Sequence, residues 1–93
     1  MSWFVYILEC KDQTLYTGVT TDLDRRLKEH NGESGGANKG AKYTRVRRPV
    51  KMVFSESSEN RSQACKREAQ IKRLSKKQKL QLIESYHHDV KTS

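Results

Sequence analysis

Between Leu15 and Asn31 the chain reads LYTGVTTDLDRRLKEHN, and three of its side chains carry more chemistry than packing requires. Tyr16 brings a weak acid, Arg26 a planar fork of donors suited to phosphate, and His30 a ring that changes charge near neutral pH. Arg26 and His30 stand four residues apart, so on a helix they project from one face. Leu23 and Leu27 form the neighbouring stripe that docks such a helix on a sheet. Arg26 then lies beside the buried face, close to where Tyr16 and Gly18 leave a strand. The plainer reading of Arg26 and His30, taken alone, is two solvated positions on a charged helix.

A fourth residue of interest lies far along the chain. Ala64, Glu68, Ile71 and Leu74 share one helical stripe at spacings of four, three and three. A carboxylate in the middle of an apolar stripe needs a partner. Two partners are open: a structural cation such as Arg26, or a divalent metal. A lone carboxylate suits Mg²⁺, which keeps several waters and takes one or two protein ligands.

The elements that must position these groups follow from local pattern. Residues 2–9, SWFVYILE, and 14–20, TLYTGVT, are rich in β-branched and aromatic residues and flank polar CKDQ, which predicts a hairpin. Thr21 with Asp24 has the capping-box pattern and opens a helix over about 22–31. Residues 32–49 hold four of the five glycines and read as a loop that Pro49 ends. A third strand, VKMVFSE, follows at about 50–56. Asn60 or Ser62 caps a helix over about 61–74, and Ser75 with Gln78 opens a last one, KKQKLQLIESY. The order ββαβαα predicts a small α+β domain: a three-stranded antiparallel sheet flanked by about three helices. Residues 1–86 are expected to form one domain and 87–93 a disordered tail.

Composition narrows the partners. A chain of 93 residues supports one modest core, burying about 60% of its unfolded surface. Nineteen Lys and Arg against eleven Asp and Glu leave a net charge of +8, which favours a polyanion. No apolar run approaches the roughly 18–20 residues of a membrane span, and MSWFVYILEC reads as a strand, not a signal peptide. Cys10 and Cys65 form no CxxC pair or disulfide framework, so a reduced, cytoplasmic setting is expected. Lys39, Lys42, Arg45, Arg47 and Arg48 are candidate contacts to a nucleic-acid backbone, with Tyr43 available to stack on a base. Lys72, Lys76 and Lys79 extend that surface. A flexible linker and solvated helix faces explain the same residues.

Taken in order, the residues resemble the GIY-YIG nuclease superfamily, and most closely its short standalone bacterial members. The first motif stands here as Phe4-Val5-Tyr6 and the second, ten residues on, as Tyr16-Thr17-Gly18. The family's helical arginine falls on Arg26, the histidine four residues later on His30, and the metal-binding glutamate on Glu68 in KREAQIKRL. The similarity spans about residues 2–80. Phe4 stands where the name-giving glycine would, and Thr17 where isoleucine would; both are backbone or packing positions.

The resemblance implies a metal-dependent endonuclease that hydrolyses DNA, with structure-specific repair or recombination as its setting. One Mg²⁺ or Mn²⁺ ion is implied at Glu68, with Arg26 neutralising charge on the phosphoryl oxygens. Tyr6 is the implied base and Tyr16 positions water or phosphate, or the two exchange these roles, and His30 supports a tyrosine. A tyrosine of pKa about 10 is only about 0.1% ionised at pH 7, a cost near 4 kcal/mol, so those neighbours are expected to lower its pKa or relay its proton. Two other readings stand beside this one: a nucleic-acid-binding module that needs a protein partner for targeting, and an adaptor for an acidic protein. One geometric requirement is sharp. A two-residue turn at Asp12-Gln13 would put Tyr6 and Tyr16 on opposite faces, so a shared site requires a three-residue loop or a bulge.

Overall fold

The hairpin meets that requirement. In the computed structural model, which describes residues 2–32 and 42–92, strands β1 (Trp3–Cys10) and β2 (Leu15–Thr20) pair antiparallel. Their turn closes with Cys10 N–H donating to the Thr14 carbonyl at 2.9 Å and Gln13 N–H donating to the Cys10 carbonyl at 2.8 Å. The loop is therefore Lys11-Asp12-Gln13, with Gln13 in the left-handed region at φ 68°. A three-residue loop ending in a left-handed residue is the common alternative to a two-residue turn. The Asp12 carboxylate fastens it, accepting from the Thr14 hydroxyl at 2.6 Å and the Thr14 N–H at 3.2 Å. The outcome is Tyr6 opposite Gly18 and Leu8 opposite Tyr16, so both tyrosines share a face.

Strand β3 (Val50–Ser58) pairs antiparallel with β1 and gives the order β2-β1-β3. The pairing steps from Ile7–Phe54 to Leu8–Met52, leaving Val53 as a bulge residue. Val53 and Phe54 consequently enter the same cluster, with Val5 and Ile7. That face is covered by helix α3 (Arg61–Arg73) through Ala64 and Ile71, and by helix α4 (Lys76–Thr92) through Leu82, Ile83 and Tyr86. The other face gathers Tyr6, Leu8, Cys10 and Val50 under Leu23 and Leu27 of helix α1 (Leu23–His30). Strand alternation thus sends odd residues of β1 to α3 and even ones to α1, a three-layer arrangement. Each fully buried Val, Ile or Leu here contributes about 1.5–3 kcal/mol.

The caps show where local pattern decides. Asp22, not Thr21, caps α1, its carboxylate accepting from Arg25 N–H at 3.0 Å. Thr20 turns the strand end instead, its hydroxyl taking the Asp22 N–H at 3.1 Å. Asn60 caps α3 and accepts from Gln63 N–H at 2.9 Å. Ser75 and Gln78 form the expected reciprocal box before α4. Helix α4 continues to Thr92, past the expected stop at Tyr86, because no Gly or Pro interrupts HHDVKT. A short helix, α2 (Lys42–Arg45), stands inside the segment expected to be loop. Among the described residues, no helix is long and apolar enough to cross a membrane.

Candidate active site

Tyr6 is the centre of the arrangement. It lies in the middle strand, only 1% exposed, and its ring crosses Gly18 on edge strand β2. A Cβ at position 18 would stand 2.5 Å from the Tyr6 hydroxyl and 2.7 Å from Cζ, so glycine is required by that close approach. Tyr16, two residues back, places its ring centroid 6.5 Å from that of Tyr6.

Helix α1 delivers the next two groups. His30 is fully buried, with Nε2 2.8 Å from the Tyr6 hydroxyl and its ring edge-on to Tyr16 at 5.2 Å. Burial, helped by the Arg26 and Arg48 charges, pushes the imidazole pKa down to about 4, so the ring is neutral at pH 7. Arg26 is half-buried, donates to Glu29 at 3.1 Å, and lies beside the Tyr6 hydroxyl. Burial pushes that hydroxyl up to about 12, Arg26 pulls it down, and the Tyr16 and Glu68 charges add to the rise. Burial thus outweighs the arginine, and of the two expected forms of help, a lowered pKa or a proton relay, the 2.8 Å contact with His30 serves the relay.

Glu68 reaches the same neighbourhood from α3, near enough for its charge to act on Tyr6. Its side chain is 23% exposed and its ion-pair partner is Lys72 at 3.5 Å, not Arg26. Among the described residues, no group of three or more His, Cys, Asp or Glu is placed to hold a metal. A half-buried carboxylate whose one ion pair among the described residues is with a solvent-exposed i,i+4 lysine suits a hydrated Mg²⁺ or Mn²⁺ ion. Such a pair is worth about 0–1 kcal/mol, so Lys72 is readily displaced.

A scan against family models matches the GIY-YIG catalytic domain over residues 2–81. The chain belongs to the GIY-YIG family. Among curated relatives it is 51% identical to a UPF0213 protein of Desulfotalea psychrophila, over 90% of this chain and 73% of that one. It is 55% identical to a UPF0213 protein of Syntrophus aciditrophicus, over 86% of this chain and 87% of that one. The solution NMR structure of a UPF0213 protein from Bacillus halodurans is 44% identical, with a TM-score of 0.55, covering 90% of this chain and 84% of that one. An E. faecalis protein solved by NMR gives 46% and 0.61, covering 94% of this chain and 88% of that one. Tyr6, Tyr16, Gly18, Arg26, His30 and Glu68 all lie within the matched residues. Thr17 is buried and its hydroxyl has no hydrogen-bond partner among the described residues.

The basic residues divide. Arg48 turns inward, its Nε donating to the His30 carbonyl at 2.5 Å, where a cation complements the end of α1. Arg47 pairs with Asp12 at 3.1 Å and lies 4.0 Å from the Tyr43 ring centroid. Tyr43 in turn stacks on Tyr16 at 6.0 Å, so its ring is already part of the site. Arg45 and Lys76 are exposed, and Lys72 holds Glu68. Lys39 and the side chain of Lys42 lie outside the described residues. Three residues escaped the sequence reading: Glu29 on Arg26, Thr44 on His30, and Asn31, whose amide exchanges two hydrogen bonds with the Val50 backbone at 2.9 and 2.7 Å. Asn at a helix end is a capping signal, but nothing local points it at β3.

Proposed function

We propose that this protein is a metal-dependent endonuclease acting on DNA. The observation that carries the reading is the convergence on one buried hydroxyl, that of Tyr6, of His30, Arg26, Tyr16 and Glu68. A module that only bound DNA would have no use for a buried tyrosine–histidine pair beside a carboxylate.

The attacking water gives its proton to the Tyr6 oxygen while the Tyr6 proton passes to His30 Nε2. The water oxygen forms the new bond to phosphorus as the bond to the leaving sugar oxygen breaks; that oxygen takes a proton from solvent water, and the imidazolium of His30 returns its proton through the Tyr6 hydroxyl to solvent. Tyr6 begins and ends neutral, so its high pKa is not a barrier in itself. Forming free phenolate at pH 7 would cost about 7 kcal/mol. His30, with its pKa near 4, is a weak base until an anionic phosphate beside it favours the imidazolium. Arg26 neutralises charge on the phosphoryl oxygens and Tyr16 orients water or phosphate. Glu68 would hold the Mg²⁺ or Mn²⁺ ion, whose chemistry is to polarise the phosphate and stabilise the leaving oxygen.

The weak base favours a second reading: a cytoplasmic DNA-binding module of the same fold that cleaves little without a partner. Arg45, Lys72 and Lys76 serve the backbone in both. The two readings separate when labelled duplex, nicked, flap and single-stranded DNA are incubated with and without Mg²⁺ or Mn²⁺. Metal-dependent cutting, abolished by Glu68→Gln and Arg26→Ala in folded protein, is expected. Salt-sensitive binding with no cutting of any substrate would leave the binding module.

A further inference from the structure

We propose that Thr44 is a positioning residue that fixes the tautomer of His30, holding Nε2 unprotonated toward Tyr6. The inference deepens the nuclease reading, since a histidine that is to take the Tyr6 proton must present a bare nitrogen to it.

Thr44 is 0% exposed, although its neighbours Tyr43 and Val46 are 37% and 79% exposed. Its hydroxyl lies 2.8 Å from His30 Nδ1, while Nε2 lies 2.8 Å from the Tyr6 hydroxyl. A neutral imidazole has one N–H and one acceptor, so only two arrangements satisfy both contacts. In the first, Nδ1–H donates to Thr44 and Tyr6 donates to Nε2. In the second, Thr44 donates to Nδ1 and Nε2–H donates to Tyr6. The second aims an N–H at a phenolic oxygen that already has the guanidinium of Arg26 beside it, a group that can only donate. It also turns the Tyr6 proton away from Nε2 in a site only 1% exposed. In the first arrangement the Tyr6 O–H donates to Nε2 while its oxygen faces the guanidinium, and the rotatable Thr44 hydroxyl accepts from Nδ1–H and is free to turn its own proton elsewhere, so that arrangement is favoured.

The position of Thr44 is itself secured. Its carbonyl accepts from Arg47 N–H at 3.0 Å, and Arg47 is tied to Asp12 in the β1–β2 loop at 3.1 Å. Tyr43, next in the chain, stacks on Tyr16. Helix α2 is thus clasped to the hairpin that carries both tyrosines, and the Thr44 hydroxyl is delivered to the far side of the His30 ring. Without an acceptor in that place the Nδ1–H would be buried unpaired, which is why this tautomer needs Thr44.

The test is ¹⁵N–¹H long-range correlation of the histidine rings at pH 7, practicable because the chain has three histidines and a His30→Gln sample assigns the signal. Wild type is expected to show Nδ1 protonated and Nε2 bare. Thr44→Ser keeps that pattern, and Thr44→Val, of the same shape without the hydroxyl, loses it. In the DNA-cleavage assay Thr44→Val is expected to lower kcat about 10–100-fold with KM unchanged, the range typical of outer-shell partners, and Thr44→Ser to recover most of it. A wild-type ring protonated at Nε2 overturns the inference whether or not any variant folds. So does a Thr44→Val protein with the wild-type tautomer. If wild type shows the expected tautomer yet cuts no DNA, the nuclease reading fails while the role of Thr44 in setting the ring stands.

Discussion

Tyr6 and His30 are each held neutral by burial, and their 2.8 Å contact is possible only because residue 18 has no side chain. Two predictions belong at this scale. Gly18→Ala drives a methyl into the Tyr6 hydroxyl; an overpacking cost of about 1–3 kcal/mol is expected, with Tyr6 displaced and cleavage lost. Urea denaturation reads the first effect, and an unchanged midpoint contradicts the contact. The second concerns pH. His30 has a folded pKa near 4, below the unfolded value of 6.5. The unfolded chain therefore binds the proton first, and stability present above about pH 6.5 falls as pH drops toward 4. The full loss is roughly 3 kcal/mol. Denaturation midpoints at pH 7, 5.5 and 4.5 should show that slope, and His30→Gln should remove it. At the residue scale the candidates Tyr6, Tyr16, Arg26, His30 and Glu68 were named through the family resemblance, which reads types in order, and the structure brings them into one neighbourhood. Glu29, Thr44 and the inward turn of Arg48 were not legible: each is a contact made by docking, with no local signal of type or spacing.

The elements place these groups through register and clamps. Asp-Gln is not the Asn-Gly type that favours a two-residue turn, which allowed the longer loop, and the three-residue loop then put both tyrosines on the α1 face. That much could be read from the chain, as could three of the caps' neighbourhoods. The bulge at Val53 could not, because VKMVFSE alternates no differently from an unbroken strand. Nor could α2, whose four residues lack a period long enough to register. Asn31 is the clamp with the clearest consequence. It ends α1 one residue after His30 and bonds both backbone groups of Val50 at the start of β3. Asn31→Ala is expected to destabilise by about 1–3 kcal/mol, since the Val50 groups lose their partners. It should also slow cleavage by loosening the helix end that aims His30. Denaturation midpoints and cleavage rates measured on one preparation check both, and an unchanged midpoint would show that the clamp is dispensable.

Across the whole molecule, the site is assembled from all three layers: His30 and Arg26 from one side of the sheet, the tyrosines from the sheet, and Glu68 from α3 on the other. The fold order ββαβαα was predicted from pattern, and the molecule inserts α2 within it. The net charge of +8 says that a polyanion is attracted, and it says nothing about what happens to that polyanion once bound. In the proposed mechanism the chemistry rests on the Tyr6 hydroxyl. The decisive measurement is single-turnover cleavage of labelled DNA in Mg²⁺ by wild type and by Tyr6→Phe, which keeps the ring that crosses Gly18 and removes only the oxygen. The rate should fall at least about 100-fold, with DNA affinity and unfolding midpoint close to wild type. A Tyr6→Phe protein that cuts at the wild-type rate would contradict the account.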